Sequence, residues 1–598
     1  MMSVVNIKPN NFLGYWGYGS ERELDRLLNK FVGINLQKSP KTKVSRLYKR
    51  SPEENSSLIW NVAYFSDSAV YRAELSTEKI LTIAASSASG LPNLDSWVKI
   101  LEDGSLVLGR EPFGRVPLYW TQQQVVWFAS RLQLLLPIVN PQVNISAFYG
   151  YSCFSYVPTP LTPVCEIHSV VAGTEITWRS QLTLDIKAYL PQPQSKTIWQ
   201  WREFNQHQNE NRAIADLQVL LKAAVERQIV DLKDQPVGVF LSGGLDSSIV
   251  AALLVQAGVK VRAYTLDFGK AGVPEYPYAE QVAKFLDIPL VKVKATPKEI
   301  KKALIPTIKA LDLPFGDGVT VPLYLLYQAA SQETKVIFNG EGGDQLFAGW
   351  TNKPLIAAGI YLAQQPTTSK TFVQQYLGTF HRLWGYEAEV YTPEVYAQIQ
   401  NLQPEKWLES ALDRKYCQSL LHRLRRATLM LKGAQNIHPR ATNLGLAHNI
   451  RVRSPFCDLA MAEWTFQLSG ELFLQGSCEK YILKRAVEKW LPPEIVWRSK
   501  RGMGVPLTSW CFNEFWYQIG VWLNPGILKN EQRFVANLAA KVVDGELGGA
   551  IQNRRIGEIL WLLTMWQLWR VHVLGEIPAG RSPLHRFCLP YWLWNYRR

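Results

Sequence analysis

VFLSGGLDSSIVAALL, residues 239–254, decides the fold. It sits on a short apolar run, VGVFL (237–241), of the kind buried on both faces of a parallel sheet. The run stops at Ser242-Gly243-Gly244-Leu245-Asp246-Ser247-Ser248, and a helix follows that ends at Gly258. Two adjacent glycines let the backbone turn tightly and approach a ligand closely. The N–H groups of the turn and of the helix start converge on an anion, and the hydroxyls of Ser242, Ser247 and Ser248 add donors. The string is not the GxxxxGK[ST] loop, because no Lys closes it. A phosphate loop without that Lys needs other cations, and Asp246 points to magnesium. An ordinary Gly-containing turn would explain a bare Gly-Gly. It explains poorly this longer string between such a strand and such a helix.

Outward from the loop, the pattern alternates. NRAIADLQVLLKAAVERQIVDL (211–232) has apolar residues at three- and four-residue spacing and reads as a helix. RAYTLDF (262–268), LVKVKA (290–295) and KVIFNG (335–340) read as further strands. YAEQVAKFL (278–286) reads as a helix, and EIKKALIPTIKAL (299–311) as a broken helix. Strands alternating with helices predict a parallel sheet covered on both faces, with ligands at the carboxyl ends of its strands. From about residue 355 the reading is mainly helical. The first 190 residues instead carry short runs such as VVWFAS (125–130) and TEITW (174–178), with little helical periodicity. The expected organisation is a domain over 1–190, a Gln/Asn/Pro-rich linker over 191–211, a second domain over 212–575 and an aromatic-rich tail over 576–598.

Composition limits the function. Of 598 residues, 47% are hydrophobic and 19% charged, which excludes global disorder. The net charge of +15 favours acidic partners such as phosphates. Seven Cys, an odd number, fit a reducing compartment better than a disulfide scaffold. With no signal peptide and no apolar run of membrane-spanning length, the expectation is a cytoplasmic protein without a membrane partner. The tail RFCLPYWLWNYRR reads as a packing segment, and no nucleic-acid partner is expected.

The loop resembles the pyrophosphate loop of ATP-pyrophosphatases, which cleave ATP between the α and β phosphates. Three more blocks select a family. Asn339-Gly340-Glu341-Gly342-Gly343-Asp344-Gln345-Leu346-Phe347-Ala348-Gly349-Trp350 resembles the GEGxDE-L-F-x-G-Y signature of asparagine synthetases, with Gln345 for the usual acid and Trp350 for the usual Tyr. Arg451-Val452-Arg453-Ser454-Pro455-Phe456-Cys457-Asp458 resembles ExRxPFLD, with Arg451 reversing the charge of Glu. Glu479-Lys480-Tyr481-Ile482-Leu483-Lys484-Arg485-Ala486, Leu491-Pro492-Pro493-Glu494-Ile495 and Arg498–Pro506 resemble KxxLRxA, LPxxI and RxKxGFxxP.

The resemblance implies an α/β protein. An N-terminal class II glutaminase-like (Ntn-hydrolase-like) αββα domain would precede an ATP-pyrophosphatase parallel-sheet domain with a helical extension. It implies ATP and Mg2+ as cofactors. Nucleotide contacts would fall at Leu241, Ser242, Gly243, Gly244, Leu245, Asp246, Ser247, Ser248, Leu266 and Gly340. Asp246 and Asp344 would hold the metal, and Lys500 would touch the phosphates during adenylation. Glu341 would orient or deprotonate an attacking amine, or else cap the next helix. The partners would be a small-molecule or peptide carboxylate and an amine, with a homodimer left open.

Asparagine synthetases normally begin with a glutaminase nucleophile, a Cys exposed at position one after Met removal. Here the chain begins Met1-Met2-Ser3, and its first Cys is Cys153. Yet Leu108–Tyr119, LGREPFGRVPLY, resembles the glutaminase LxRDPFGxxPLYY, and Phe128-Ala129-Ser130 resembles its FASE segment, with Arg131 for the acid. The expectation is a glutaminase-like domain that does not hydrolyse glutamine. The amine would then be free ammonia, giving asparagine, or an amine on the substrate, as in β-lactam synthetases and lasso-peptide macrolactam cyclases. The basic stretch His422–Arg426 reads as a solvated helix face or, for a cyclase, as a grip on an acidic peptide. A reading of another class is an inactive nucleotide-binding scaffold, for which Gln345, Arg451 and Arg131 would be eroded positions. A tRNA thiolase would want a CxxC pair, which the chain lacks.

Overall fold

The computed structural model describes residues 12–18, 21–38, 43–50, 58–66, 80–83, 96–101, 103–179, 191–204, 209–232, 235–269, 272, 275–349, 369–499, 502–547 and 552–596. Trp350, Lys500 and the first eleven residues, Ser3 among them, lie outside this set.

The N-terminal part is built from two antiparallel sheets. Strands β1 (Phe12–Tyr18), β2 (Lys43–Arg50) and β3 (Leu58–Ser66) belong to the first. Strands β4 (Ile80–Ile83), β5 (Ser96–Ile100) and β6 (Leu106–Arg110) belong to the second. β7 (Tyr119–Gln122), β8 (Val126–Ala129) and β9 (His168–Ser169) complete the first sheet in the order β2-β3-β1-β8-β7-β9. β10 (Thr174–Trp178) and β11 (Gln194–Thr197) complete the second, ordered β11-β10-β6-β5-β4. Alternation along β1 sends Phe12 and Trp16 into the core between the sheets, with Leu106, Leu108 and Trp178. Leu13 and Tyr15 face the other way, onto Leu24, Leu28 and Phe31 of the helix Glu21–Lys38. Two differences from the sequence reading stand out. β11 lies inside the stretch read as a linker and pairs with β10 as an edge strand. Helices at Glu21–Lys38 and Ile145–Phe154 appear where periodicity is weak, because the second is buried on nearly every face and so carries no polar stripe.

The helix Glu210–Ile229 leads into the second part, whose sheet is parallel throughout. Its strands are β12 (Val237–Phe240), β13 (Val261–Asp267), β14 (Leu290–Lys294), β15 (Val336–Phe338) and β16 (Arg451–Arg453). The order is β14-β13-β12-β15-β16. The helix read as broken instead runs continuously over Pro297–Ala310, with Pro306 inside it. Burial of Ile300, Ala303, Leu304, Thr307 and Ile308 along one face outweighs the loss of one backbone bond. The fifth strand escaped the sequence reading, because three residues are too few to show a period.

One apolar core crosses between the two parts. Phe148 packs on Trp566 at 4.7 Å, and Tyr151 donates a 2.7 Å bond to the Leu562 carbonyl. In the tail, Phe587 lies 4.7 Å from Trp516, whose indole donates to the Leu589 carbonyl. Among the described residues no helix is long and apolar enough to cross a membrane.

Candidate active site

After β12 the chain moves outward to β13 and β14, then returns to place β15 on the other side of β12. The strand order therefore reverses between β12 and β15, and a crevice opens beyond their carboxyl ends. Both decisive loops emerge there, residues 241–244 from β12 and 339–342 from β15. Gly243 takes φ +68°, and a Cβ on it would lie 2.4 Å from the Tyr278 Cβ, so only glycine fits this turn. The Ser242 hydroxyl accepts the Gly244 N–H at 3.2 Å. The Ser248 hydroxyl donates to the Gly244 carbonyl at 2.8 Å and is fully buried, so it secures the helix start.

A cavity of about 270 Å³ fills the crevice. Leu241, Ser242, Gly244, Asp246, Ser247, Leu266, Gly340, Glu341 and Asp344 all line it, joined by Tyr264, Arg440 and Met503. A smaller adjoining cavity is lined by Leu245, Lys480, Lys484 and Arg498. Of the residues read from the sequence, Gly243 and Ser248 shape the loop from behind and do not line either cavity.

The two loops touch. A Cβ on Gly340 would stand 2.7 Å from the Ser247 nitrogen, and one on Gly343 2.5 Å from Asp246 Oδ1. Lys480 Nζ lies 2.5 Å from Asp246 Oδ2 and 2.5 Å from Asp344 Oδ1, with its side chain 2% exposed. Burial works to lower the Lys480 pKa, but the two carboxylates outweigh it and hold the ammonium above its ordinary value. Both aspartates thus reach a single cation, although 98 residues separate them. Among the described residues no cluster of three or more His, Cys, Asp or Glu gathers. Two carboxylates facing this cavity are oxygen donors of the kind Mg2+ takes, and that ion would keep several waters. Lys480 lies within a quoted block, but its meeting with both aspartates is a long-range contact that no local pattern announces.

Glu341 lines the cavity and makes no cap: the short helix Gly343–Leu346 starts at Gly342 without a side-chain capping bond. Burial pushes the Glu341 carboxyl up from 4.5 to about 7, with Arg440 pulling it down and Asp317 pushing it up.

Residues 216–570 match the family model for asparagine synthase, and residues 97–190 match the glutamine amidotransferase domain. The chain belongs to the asparagine synthase family. It is 24% identical over 455 residues to the glutamine-hydrolysing asparagine synthetase 1 of Bacillus subtilis, covering 72% of this chain and 70% of that one. A putative asparagine synthetase of Mycobacterium tuberculosis is 23% identical, over 78% of this chain and 74% of its own. The human asparagine synthetase is 25% identical over 51% of this chain and 45% of its own. As a member of the asparagine synthase family, the chain is an ATP-dependent carbon–nitrogen ligase.

Departures from the family pattern fall in two groups. Gln345 is buried and lines the main cavity beside Asp344. Arg451 does not reach that cavity. It begins the edge strand β16 and pairs with Asp231 at 2.9 Å, as does Arg453 at 2.7 Å. Asp458 caps the helix Leu459–Thr465 and holds Arg227 at 2.5 Å. The basic stretch at 422–426 corrects both of its sequence readings. His422, Arg423, Arg425 and Arg426 are all buried. Arg425 stacks between Phe466 and Phe473, bonds Thr465 and the Leu346 carbonyl, and is pulled down to about 9 by burial. These arginines cross-link the helical extension, and they are neither solvated nor a peptide grip.

In the N-terminal part, Cys153 is fully buried in its helix, and burial raises its thiol pKa, which disfavours the thiolate. Arg110 donates to the carbonyls of Val170, Gly114 and Ala434, tying this part to the synthetase. Arg131, in place of the family acid, forms an ion pair at 2.8 Å with Asp312.

Proposed function

We propose that this chain activates a carboxylate as an acyl-adenylate and joins it to an amine without hydrolysing glutamine itself. The observation that supports this most is the meeting of Asp246 and Asp344 on one cation at the mouth of the SGGLDSS loop. In the first step a substrate carboxylate oxygen attacks the α-phosphorus of ATP and pyrophosphate leaves. The loop N–H groups and Ser242 hold the departing phosphates. Mg2+, held by Asp246 and Asp344, would neutralise their charge when bound. Lys500, from its place in the family motif, would add a further positive charge there. In the second step an amine attacks the acyl carbon, AMP leaves, and the amine proton passes to Glu341.

Purified protein is expected to exchange labelled pyrophosphate into ATP only when its carboxylate is supplied, and to release no glutamate from glutamine. Supplying ammonia or a linear peptide to the adenylated state tells an asparagine-type product from a lasso-type ring. Exchange unaltered in Lys500→Ala would remove that residue's role, and robust glutamine hydrolysis would overturn the reading of the first domain.

Glu341 gives a pH dependence. Its folded-state pKa of about 7 lies above the ordinary carboxylate value, so the group is protonated below neutrality and becomes a base as pH rises through 7. Amide formation should therefore climb with pH around 7. Glu341→Gln should flatten that profile and slow amide formation by about 10²- to 10⁴-fold. Pyrophosphate exchange, which needs no base, should keep its pH dependence.

A further inference from the structure

Residues 577–593 lie along the helix Trp516–Trp522 and the turn after it. The Ser582 N–H donates to Asn524 Oδ1 at 2.9 Å, and Asn524 returns a bond to the Ser582 carbonyl at 3.1 Å. A Cβ on Gly520 would meet the Phe587 Cβ at 2.4 Å, and Tyr591 lies 4.5 Å from Phe512. The inner side of the segment is therefore fixed. Its outer side is apolar and uncovered. Ile577, Leu584 and Trp592 are 90%, 89% and 70% exposed, and Leu589 on the same segment and Tyr517 and Val521 on the helix beneath are exposed too. Single apolar residues scattered over a surface are ordinary, but six on two segments in contact are not. None of the six lines either cavity of the active site.

The segment's charge has one sign. Residues 577–598 hold four Arg and no Asp or Glu. Arg581 and Arg586 are exposed. Two acids against the segment are engaged: Asp544 pairs with Arg586 at 2.9 Å, and Glu576 pairs with Arg533 and Arg570.

We propose that this face docks the protein on an anionic lipid bilayer, with Leu584 and Trp592 entering the interface and Arg581 beside the headgroups. The docking goes beyond the adenylation reading and does not rest on it. It departs from the expectation of no membrane partner, which rests on the lack of a spanning run; a chain without one can still lie on a bilayer. A second copy of this chain fits the face less well, because a self-complementary contact would bring like charges together. A folded partner would need a pocket for each protruding side chain, whereas a fluid bilayer takes protrusions of any shape.

The test is vesicle co-sedimentation of the full-length protein. Affinity for vesicles of phosphatidylcholine and phosphatidylserine, mixed at about 70:30, should exceed that for phosphatidylcholine alone by about 10-fold or more. Leu584→Ser combined with Trp592→Ser should weaken the binding by about 10-fold or more, and Arg581→Gln by about 5-fold. Added salt should act in the same direction as Arg581→Gln. All three side chains are exposed, so the thermal midpoint should not move, which separates lost docking from lost folding. Equal binding to both kinds of vesicle, binding untouched by the double substitution, or no binding at all overturns the proposal. So does a protein that ignores vesicles but forms a dimer that the double substitution dissolves, which would give the face to a second copy.

Discussion

Asp246→Asn and Asp344→Asn should each lower pyrophosphate exchange by about 10³-fold or more, with the protein still folded. Both side chains approach Lys480 within hydrogen-bond distance, so either substitution leaves one carboxylate to hold the ammonium in place. The fold therefore has little reason to fail. On the adenylation reading the chemistry does, because the leaving pyrophosphate would gather negative charge where the two carboxylates would hold Mg2+. Thermal melting of each variant, run beside the exchange assay, separates the two effects. Near-normal exchange in either variant would detach that aspartate from the phosphates. The scaffold reading makes the opposite prediction, since in a protein without turnover neither substitution has any exchange to remove.

The largest effect on stability should come from Arg131→Ala, at about 3–5 kcal/mol. Asp312 is fully buried, and its carboxyl is pushed up by burial even with Arg131 beside it. Arg131 also donates to the Ala310 carbonyl, and Gln133 donates to the carbonyls of Lys309 and Leu311. Together they fasten the end of the helix Pro297–Ala310 to the N-terminal sheet. Removing the guanidinium strands a carboxylate in a place without water. The thermal midpoint should fall, and Asp312→Ala added to Arg131→Ala should recover part of the loss, because the stranded charge is gone. The sign of the pH effect follows. A carboxyl with a raised folded-state pKa favours folding most at low pH, so the defect of Arg131→Ala should shrink as the solution is acidified. The N-terminal part would thus have a structural duty, and an unchanged midpoint in Arg131→Ala would deny it.

The buried arginines at 423, 425 and 426 show where reading a sequence misleads. Three arginines within four residues look like a solvated or ligand-facing surface, because an isolated guanidinium costs too much to bury. Here carbonyls from distant segments and the rings of Phe466 and Phe473 meet that cost. None of those partners could be named before the chain was folded.

What the sequence determined by itself is the parallel sheet and the glycine-rich turn that leads from its first strand into a helix. Each depends on neighbours within a few residues: a continuous apolar run, adjacent glycines, a helix that follows at once. The tertiary structure alone decided that Lys480 stands between Asp246 and Asp344, that Arg440, bonded to Asp317, lines the cavity, and that Arg451 lies away from it. Those facts are contacts across 100 to more than 200 residues. Strand order and side-chain direction create such contacts, and neither is written in any short stretch of chain.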